Sequence, residues 1–396
     1  MVTIARPVLA GVVTALVGFG GAFPVVLAGL RAVGADERQA ASGLLVLCLA
    51  SGVVAVVLGL RTRMPVSIAW STPGAALLIA AGRPPGGFAA AVGAFLLCGA
   101  LIVLSGLIRP LGRLIEVIPP PIAGAMLAGV LLPLCVAPVK AVAEVPMLAA
   151  PVVLVWAVVG RFARPWAVPA ALVTAVVGIV LTGPGLGGAD LAPVLVWTTP
   201  RFDPSTLVGV GLPLFLVTMA SQNVPGMAVL ATYGYRPRLA PILGATGVGT
   251  LLAAPLGGHA VNLAAISAAL AAGPDADPDP ARRWIASVTA GVALGVLGLG
   301  AGLATALILL SPPVLVAAVA GLALLAALGS ALASAVGDPA MREAAAVTFV
   351  VTAAGVTFVG IGAAFWGLLA GGAMALLHRR RPSAEPTRRT GADAGP

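Results

Sequence analysis

Charge is what this sequence has least of. Asp, Glu, Lys and Arg make up 9% of its 396 residues, against about 25% in a soluble globular domain. A water-soluble fold is excluded on that ground. Histidine is scarcer still, with His259 and His378 the two in the chain. The three cysteines, Cys48, Cys98 and Cys135, all sit inside apolar runs, and none has metal-ligand spacing or implies a disulfide. No metal site or cofactor is expected. What remains is hydrophobic: 60% of residues are apolar and the mean hydropathy is +1.10. The apolar runs recur about every 25–30 residues, enough for a spanning helix of ~20 residues and a short connection. The first run has no cleavage site after it, so it is expected to stay as a span.

The net charge of +9 would suit nucleic acid, but the placement of the charges points to a lipid bilayer instead. Fourteen spans are predicted: 7–32, 39–60, 64–82, 86–108, 120–139, 146–160, 166–183, 205–233, 238–254, 255–272, 283–309, 312–330, 343–359 and 361–378. With the N-terminus in the cytoplasm, Arg31, Arg38, Arg83, Lys140 and Arg201 fall outside. The other 17 of the 22 basic residues fall inside, which is the positive-inside asymmetry. The reading is a multi-pass protein of the plasma (inner) membrane with both termini cytoplasmic. Thr182–Pro204 reads as an extracellular linker. Gly273–Pro280 alternates Asp with Pro and lacks a closing Glu, so it reads as a solvated loop rather than a calcium site. Residues 379–396 read as a disordered basic tail against anionic lipid.

Two spans are broken. In 64–82, Pro65 opens an extended stretch carrying Ser67, Trp70 and Ser71, and Thr72-Pro73 reads as an N-cap followed by the first helical residue. In 255–272, Pro255, Gly257 and Gly258 precede His259 and Asn262, with a half-helix expected from near Ala260. Non-helical backbone at membrane depth survives only inside protein or beside a polar cavity. An internal duplication fits the pairing of breaks. Pro120, Pro121, Ala128 and Gly129 match Pro312, Pro313, Ala320 and Gly321 at one offset, and Phe23-Pro24 resembles Val224-Pro225. Seven spans per copy is odd, so the second copy is inserted upside down. The predicted fold class is therefore an all-α polytopic membrane protein, fourteen segments as a 7+7 inverted repeat with two discontinuous half-helix spans. That pattern points to a secondary transporter with its site at the midplane.

Ser221, Gln222 and Asn223 form a third polar cluster, in the eighth span; an adjacent Gln-Asn pair at that depth is costly and has partners. By the span boundaries, the membrane interior holds no Asp, Glu, Lys or Arg. His259 is then the one conventional proton carrier, with substrate binding or a structural hydrogen bond as its other readings. Helix N-termini converging from two inverted half-helices make an anion site. Trp70, whose other reading is an interface anchor, and its apolar neighbours suit a hydrophobic body, so a small hydrophobic carboxylate is the predicted solute. Importing an anion into a negative interior costs about 2.3 kcal/mol per 100 mV, and one accompanying proton cancels that, hence symport. The candidate substrate contacts are Trp70, Ser71, Thr72, Pro73, Gly74, Gln222, Asn223, Gly258, His259 and Asn262.

The segments AWSTPGAALL (69–78), MASQNVPGMAVLATYGYRP (219–237) and GGHAVNLAAISAAL (257–270) resemble the benzoate:proton symporter (BenE) family, over nearly the whole chain to about residue 380. The resemblance implies the fold of nucleobase permeases and sulfate-type anion transporters, split into core and gate. Residues 1–116 and 200–310 would be core, and 117–199 and 311–378 gate. It implies substrate between spans 3 and 10, and allows a homodimer. Nucleobase permeases carry glutamates where this chain has Gln222, Asn223 and His259, so their proton coupling does not transfer. The alternatives are another small anion or a nucleobase on the same fold, or an anion channel, for which no filter motif is present. An intramembrane hydrolase lacks a G-x-S-x-G or H-E-x-x-H motif, so no enzyme is expected.

Overall fold

The computed structural model describes residues 4–108, 119–182, 192–265, 267–356, 358 and 361–379. In chain order these form α1 (Ala5–Ala32), α2 (Glu37–Thr62), β1 (Ile68–Trp70), α3 (Thr72–Ala81), α4 (Gly87–Leu107), α5 (Pro120–Glu144), α6 (Pro146–Phe162) and α7 (Ala167–Thr182). Then follow α8 (Pro204–Thr232), α9 (Leu239–Ala253), β2 (Val261–Leu263), α10 (Ala268–Ala272), α11 (Trp284–Gly298), α12 (Ala301–Leu309), α13 (Pro313–Val336), α14 (Arg342–Ala353) and α15 (Ala363–Arg379). The expected basic tail beyond 379, and residues 183–191 of the expected linker, lie outside the described residues.

Among the described residues, eight helices are long and apolar enough to cross a bilayer, or nine if α11 and α12 count as one span bent by 56°. Apolar elements stand at all fourteen expected places, but several are shorter than the spans expected there. The eleventh is bent where Leu299-Gly300 interrupts it. The thirteenth stops at Ala353 rather than 359, before a left-handed Gly355 (φ +66°). Local chemistry explains many helix ends. Asp36 and Gln39 form a reciprocal capping box at the start of α2, with bonds of 2.8 and 3.0 Å. Asp203 caps α8, and bonds from Ser205 and Thr206 hold its carboxyl below the usual carboxylate range.

The helices pack in crossed pairs: α5 on α13, α2 on α11, α4 on α9, and α1 on α11. Glycine allows the closest crossings. A Cβ on Gly321 of α13 would collide with the Leu134 carbonyl of α5, the close approach that small residues permit between membrane helices. One large apolar cluster joins α1–α4, α8, α9 and both strands, while a smaller one lies among α5, α6, α7 and α13. The extended stretch after 192 is fastened to the large cluster. Thr198 N–H donates to Pro255 O at 2.7 Å and Val196 N–H to Ser42 Oγ at 2.9 Å. Ser42 Oγ in turn donates to Leu256 O at 2.8 Å, so carbonyls freed by the second break are satisfied.

Candidate functional site

The two broken segments meet. β1 and β2 pair antiparallel, with Ile68 opposite Leu263, Ala69 opposite Asn262 and Trp70 opposite Val261. The ladder is extended by Ser71 N–H to Ala260 O (3.0 Å) and Ala264 N–H to Ser67 O (2.9 Å). A two-stranded patch inside a helical membrane protein satisfies the backbone groups that each break sets free.

The helix starts differ from those expected. Ser71, not Thr72, caps α3: its Oγ accepts the Gly74 N–H at 3.1 Å, and Pro73 is the second helical residue. Ser71 is fully buried and also accepts from Thr218 Oγ1 of α8 at 2.9 Å. In the second segment the helix begins at Ala268, not near Ala260, and runs for five residues. Residues 260–264 are spent on strand pairing instead. So one half-helix of ten residues faces a partner too short to carry a comparable end charge.

A cavity of about 870 Å³ lies beside this patch. Its wall runs from Pro73 at the start of α3, past Gln222 and Ser221 of α8 and Ala265 after β2. It ends among Pro120 at the start of α5, Leu239 at the start of α9 and Ser334 near the end of α13. Met126 and Leu127 of α5 and Leu368 of α15 close the far side. Among the described residues, none on the wall is charged or aromatic. Of the ten candidate residues, Pro73 and Gln222 line it, and the other eight do not.

Those eight hold the frame. Trp70 is buried in the large cluster, edge-on to Phe19 at 6.1 Å. Thr72 and Gly74 belong to the first turn of α3, where Gly74 gives its N–H to Ser71. Asn223, with no exposed surface, accepts the Leu263 N–H at 2.9 Å and donates to Met219 Sδ at 3.1 Å. Asn262 is also fully buried. With its amide turned to suit its neighbours, it accepts from Ser71 N–H (2.8 Å) and donates to Leu263 O (3.0 Å). Gly258 packs where a Cβ would meet Ala253 Cβ at 2.7 Å. His259 is fully buried; its Nδ1 accepts the Ala260 N–H, its ring stands edge-on to Phe95 at 6.3 Å, and its Nε2 has no partner among the described residues.

The far wall was invisible to sequence reading, because Met126, Leu127 and Leu368 look like any other apolar residues. The signal that existed was the small-residue pairing of α5 with α13, at Gly124 and Ala331, which brings the two helices into close contact beside the cavity.

Across residues 3–377 the chain matches the BenE family model, described as a benzoate membrane transport protein. It is 39% identical over 367 residues to the inner membrane protein YdcO of Escherichia coli K12, covering 92% of this chain and 93% of that one. Identity to the benzoate membrane transport protein of Acinetobacter baylyi is 30% over 371 residues, 92% of each chain. Among solved structures, the transmembrane domain of a cyanobacterial bicarbonate transporter, BicA, aligns with a TM-score of 0.58 at 16% identity, over 96% of this chain and 98% of that one. SLC26A9 aligns with a TM-score of 0.60 at 14% identity, over 95% and 66%. At such identities the likeness is one of fold.

Proposed function

Because the chain belongs to the BenE family of benzoate membrane transport proteins, it is a multi-pass membrane transporter, and we propose that it imports benzoate or a similar aromatic carboxylate with a proton. The cavity carries this reading. The described wall residues, uncharged and largely apolar, suit an aromatic ring, and the sulfurs of Met126 and Met219 offer favourable contacts to its edge. The carboxylate is met by the neutral amide of Gln222, beside the positive end of the α3 dipole at Pro73. Among the described wall residues a strongly hydrated inorganic anion would find too few polar groups to replace its water.

Core and gate meet at this cavity: α3, α4, α8 and α9 supply one wall, and α5, α13 and α15 the other. Reciprocal pairing supports the inverted repeat. If each span's copy lies seven spans further on, α2 with α11 exchanges with α9 and α4, while α5 with α13 and β1 with β2 map onto themselves. Under the positive-inside orientation, the ends of α4, α5, α9 and α13 that line the cavity lie toward the cytoplasmic side. Transport then consists of moving the gate walls past the core.

His259 is the proposed proton carrier, and here its Nε2 is buried away from the cavity. It must therefore reach water in another state. Proteoliposomes test both parts. Saturable uptake of labelled benzoate that rises with an imposed inward proton gradient, and is not matched by bicarbonate or uracil, is the expected result. Uptake indifferent to the gradient rules out symport, and no benzoate uptake rules out the substrate. The His259→Gln variant should carry benzoate without responding to the gradient; an unchanged response removes His259 from coupling.

A further inference from the structure

We infer that the seat for the substrate carboxylate is a displaceable internal hydrogen bond, Gln222 Oε1 to the Ala265 N–H, an inference that rests on the aromatic-carboxylate reading above. β2 has two edges. One is occupied by β1. On the other, the N–H groups of Leu263 and Ala265, two residues apart and so pointing the same way, are taken by side-chain amides. Asn223 Oδ1 takes the first at 2.9 Å and Gln222 Oε1 the second at 3.4 Å. Both amides come from one π-helical turn of α8, Met219–Asn223, a widened turn of the kind found at functional sites. Two adjacent side chains thus stand in for a third strand.

The two bonds are unequal. Asn223 is fully enclosed, and its Nδ2 is also engaged, on Met219 Sδ. Gln222 lies on the cavity wall, as does Ala265, and its bond is long enough to be weak. The Ala265 N–H can only donate, so the amide oxygen of Gln222 must face it and the NH₂ must turn elsewhere. That Nε2 bonds to no described residue and is not among the buried unpartnered atoms, so it is open to the cavity. An incoming carboxylate replaces Oε1 on the Ala265 N–H, and the freed amide swings to donate Nε2–H to the second oxygen. Two neutral donors then hold the charge by charge-assisted bonds. Asn223 stays in place and keeps β2 registered. Without substrate, Gln222 closes the strand edge against water.

The test is benzoate binding to the purified full-length protein, with ¹³C-carboxyl benzoate followed by infrared spectroscopy. Gln222→Met should raise the dissociation constant about ten- to a hundredfold, leave the melting temperature of the substrate-free protein within ~2 °C, and return the carboxylate stretch toward its free position. Gln222→Glu keeps the shape but sets a negative oxygen against the substrate, and should weaken binding at neutral pH more than Met does. Binding within threefold of the wild type in either variant, or a bound carboxylate band unmoved by Gln222→Met, overturns the seat while the transport reading stands. If the wild-type protein binds no aromatic carboxylate, the transport reading fails and the seat with it.

Discussion

In the first interrupted segment, strand passes to helix within one residue: Trp70 ends β1, and Thr72 begins a helix of ten residues. In the second, four residues separate Leu263 from a helix of only five. The first is built by its own sequence, with Ser71 as cap and Pro73 in the first turn. Neighbours hold the second in place. Thr250 Oγ1 accepts the Val261 N–H at 2.9 Å, and Asn223 takes Leu263. At the far end, the buried Arg283 donates from Nη1 to Ala272 O at 2.9 Å and from Nε to Asp277 O at 2.8 Å. Entry to each strand needs a left-handed residue as well. In the first it is Arg63 at the exposed end of α2 (φ 53°), and in the second Gly257, pressed against α2 (φ +93°). One segment is thus set by its own sequence, and the other takes its shape from surrounding helices. A pair so divided offers a fixed reference beside an element whose supports can be rearranged.

If this contrast is right, the second segment should be the more sensitive to changes in its surroundings. The largest effect is expected at Gly257. A Cβ there would come within 3.0 Å of Gln39 O and 3.2 Å of Gly43 Cα, on backbone that a β-branched residue resists. Gly257→Val should cost about 3 kcal/mol or more, seen as loss of folded protein by size-exclusion chromatography in detergent. A variant that melts like the wild type would mean α2 can yield, and the second segment is not held from outside. Asn223→Ala comes next. It leaves the buried Leu263 N–H without its acceptor, at about 1–3 kcal/mol. The apparent melting temperature of the substrate-free protein should fall, and β2 amides should exchange faster in hydrogen-exchange mass spectrometry. If exchange quickens in β1 but not in β2, the assignment of support is reversed.

The same division explains what could be read from the sequence. Pro65 and the run Ser71-Thr72-Pro73 carry the first break within one short stretch, so its existence and helix were legible, to within one residue at the cap. The second break was legible from Pro255, Gly257 and Gly258, but its helix start was not. Whether residues 260–264 coil or extend depends on β1, nearly 200 positions away, offering a free edge. Asn223 and Gln222 stood out as costly polar residues, yet only the structure separates their roles: one braces a strand and the other reaches a cavity. His259 stood out for its rarity, which says nothing about whether water can reach it. The bend at Leu299-Gly300 was missed because Ala301–Leu309 continues the apolar run without a proline.

The finest test of the contrast is at the cap of the first segment. Two hydroxyls adjoin Pro73, and only one of them caps: Ser71 Oγ receives the Gly74 N–H, while Thr72 is already the first helical residue. Ser71→Ala therefore removes an N-cap, for about 1 kcal/mol, and takes from Thr218 Oγ1 its acceptor. Thr218 can offset part of that loss by turning its hydroxyl to a carbonyl of its own helix, as Ser and Thr do in membrane helices. Thr72→Ala should shift stability by less than about 0.5 kcal/mol. The pair, compared by melting temperature in the same detergent, separates a locally capped helix from one held by neighbours. If both variants melt with the wild type, α3 does not depend on its own cap, and the two segments are more alike than their hydrogen bonds suggest.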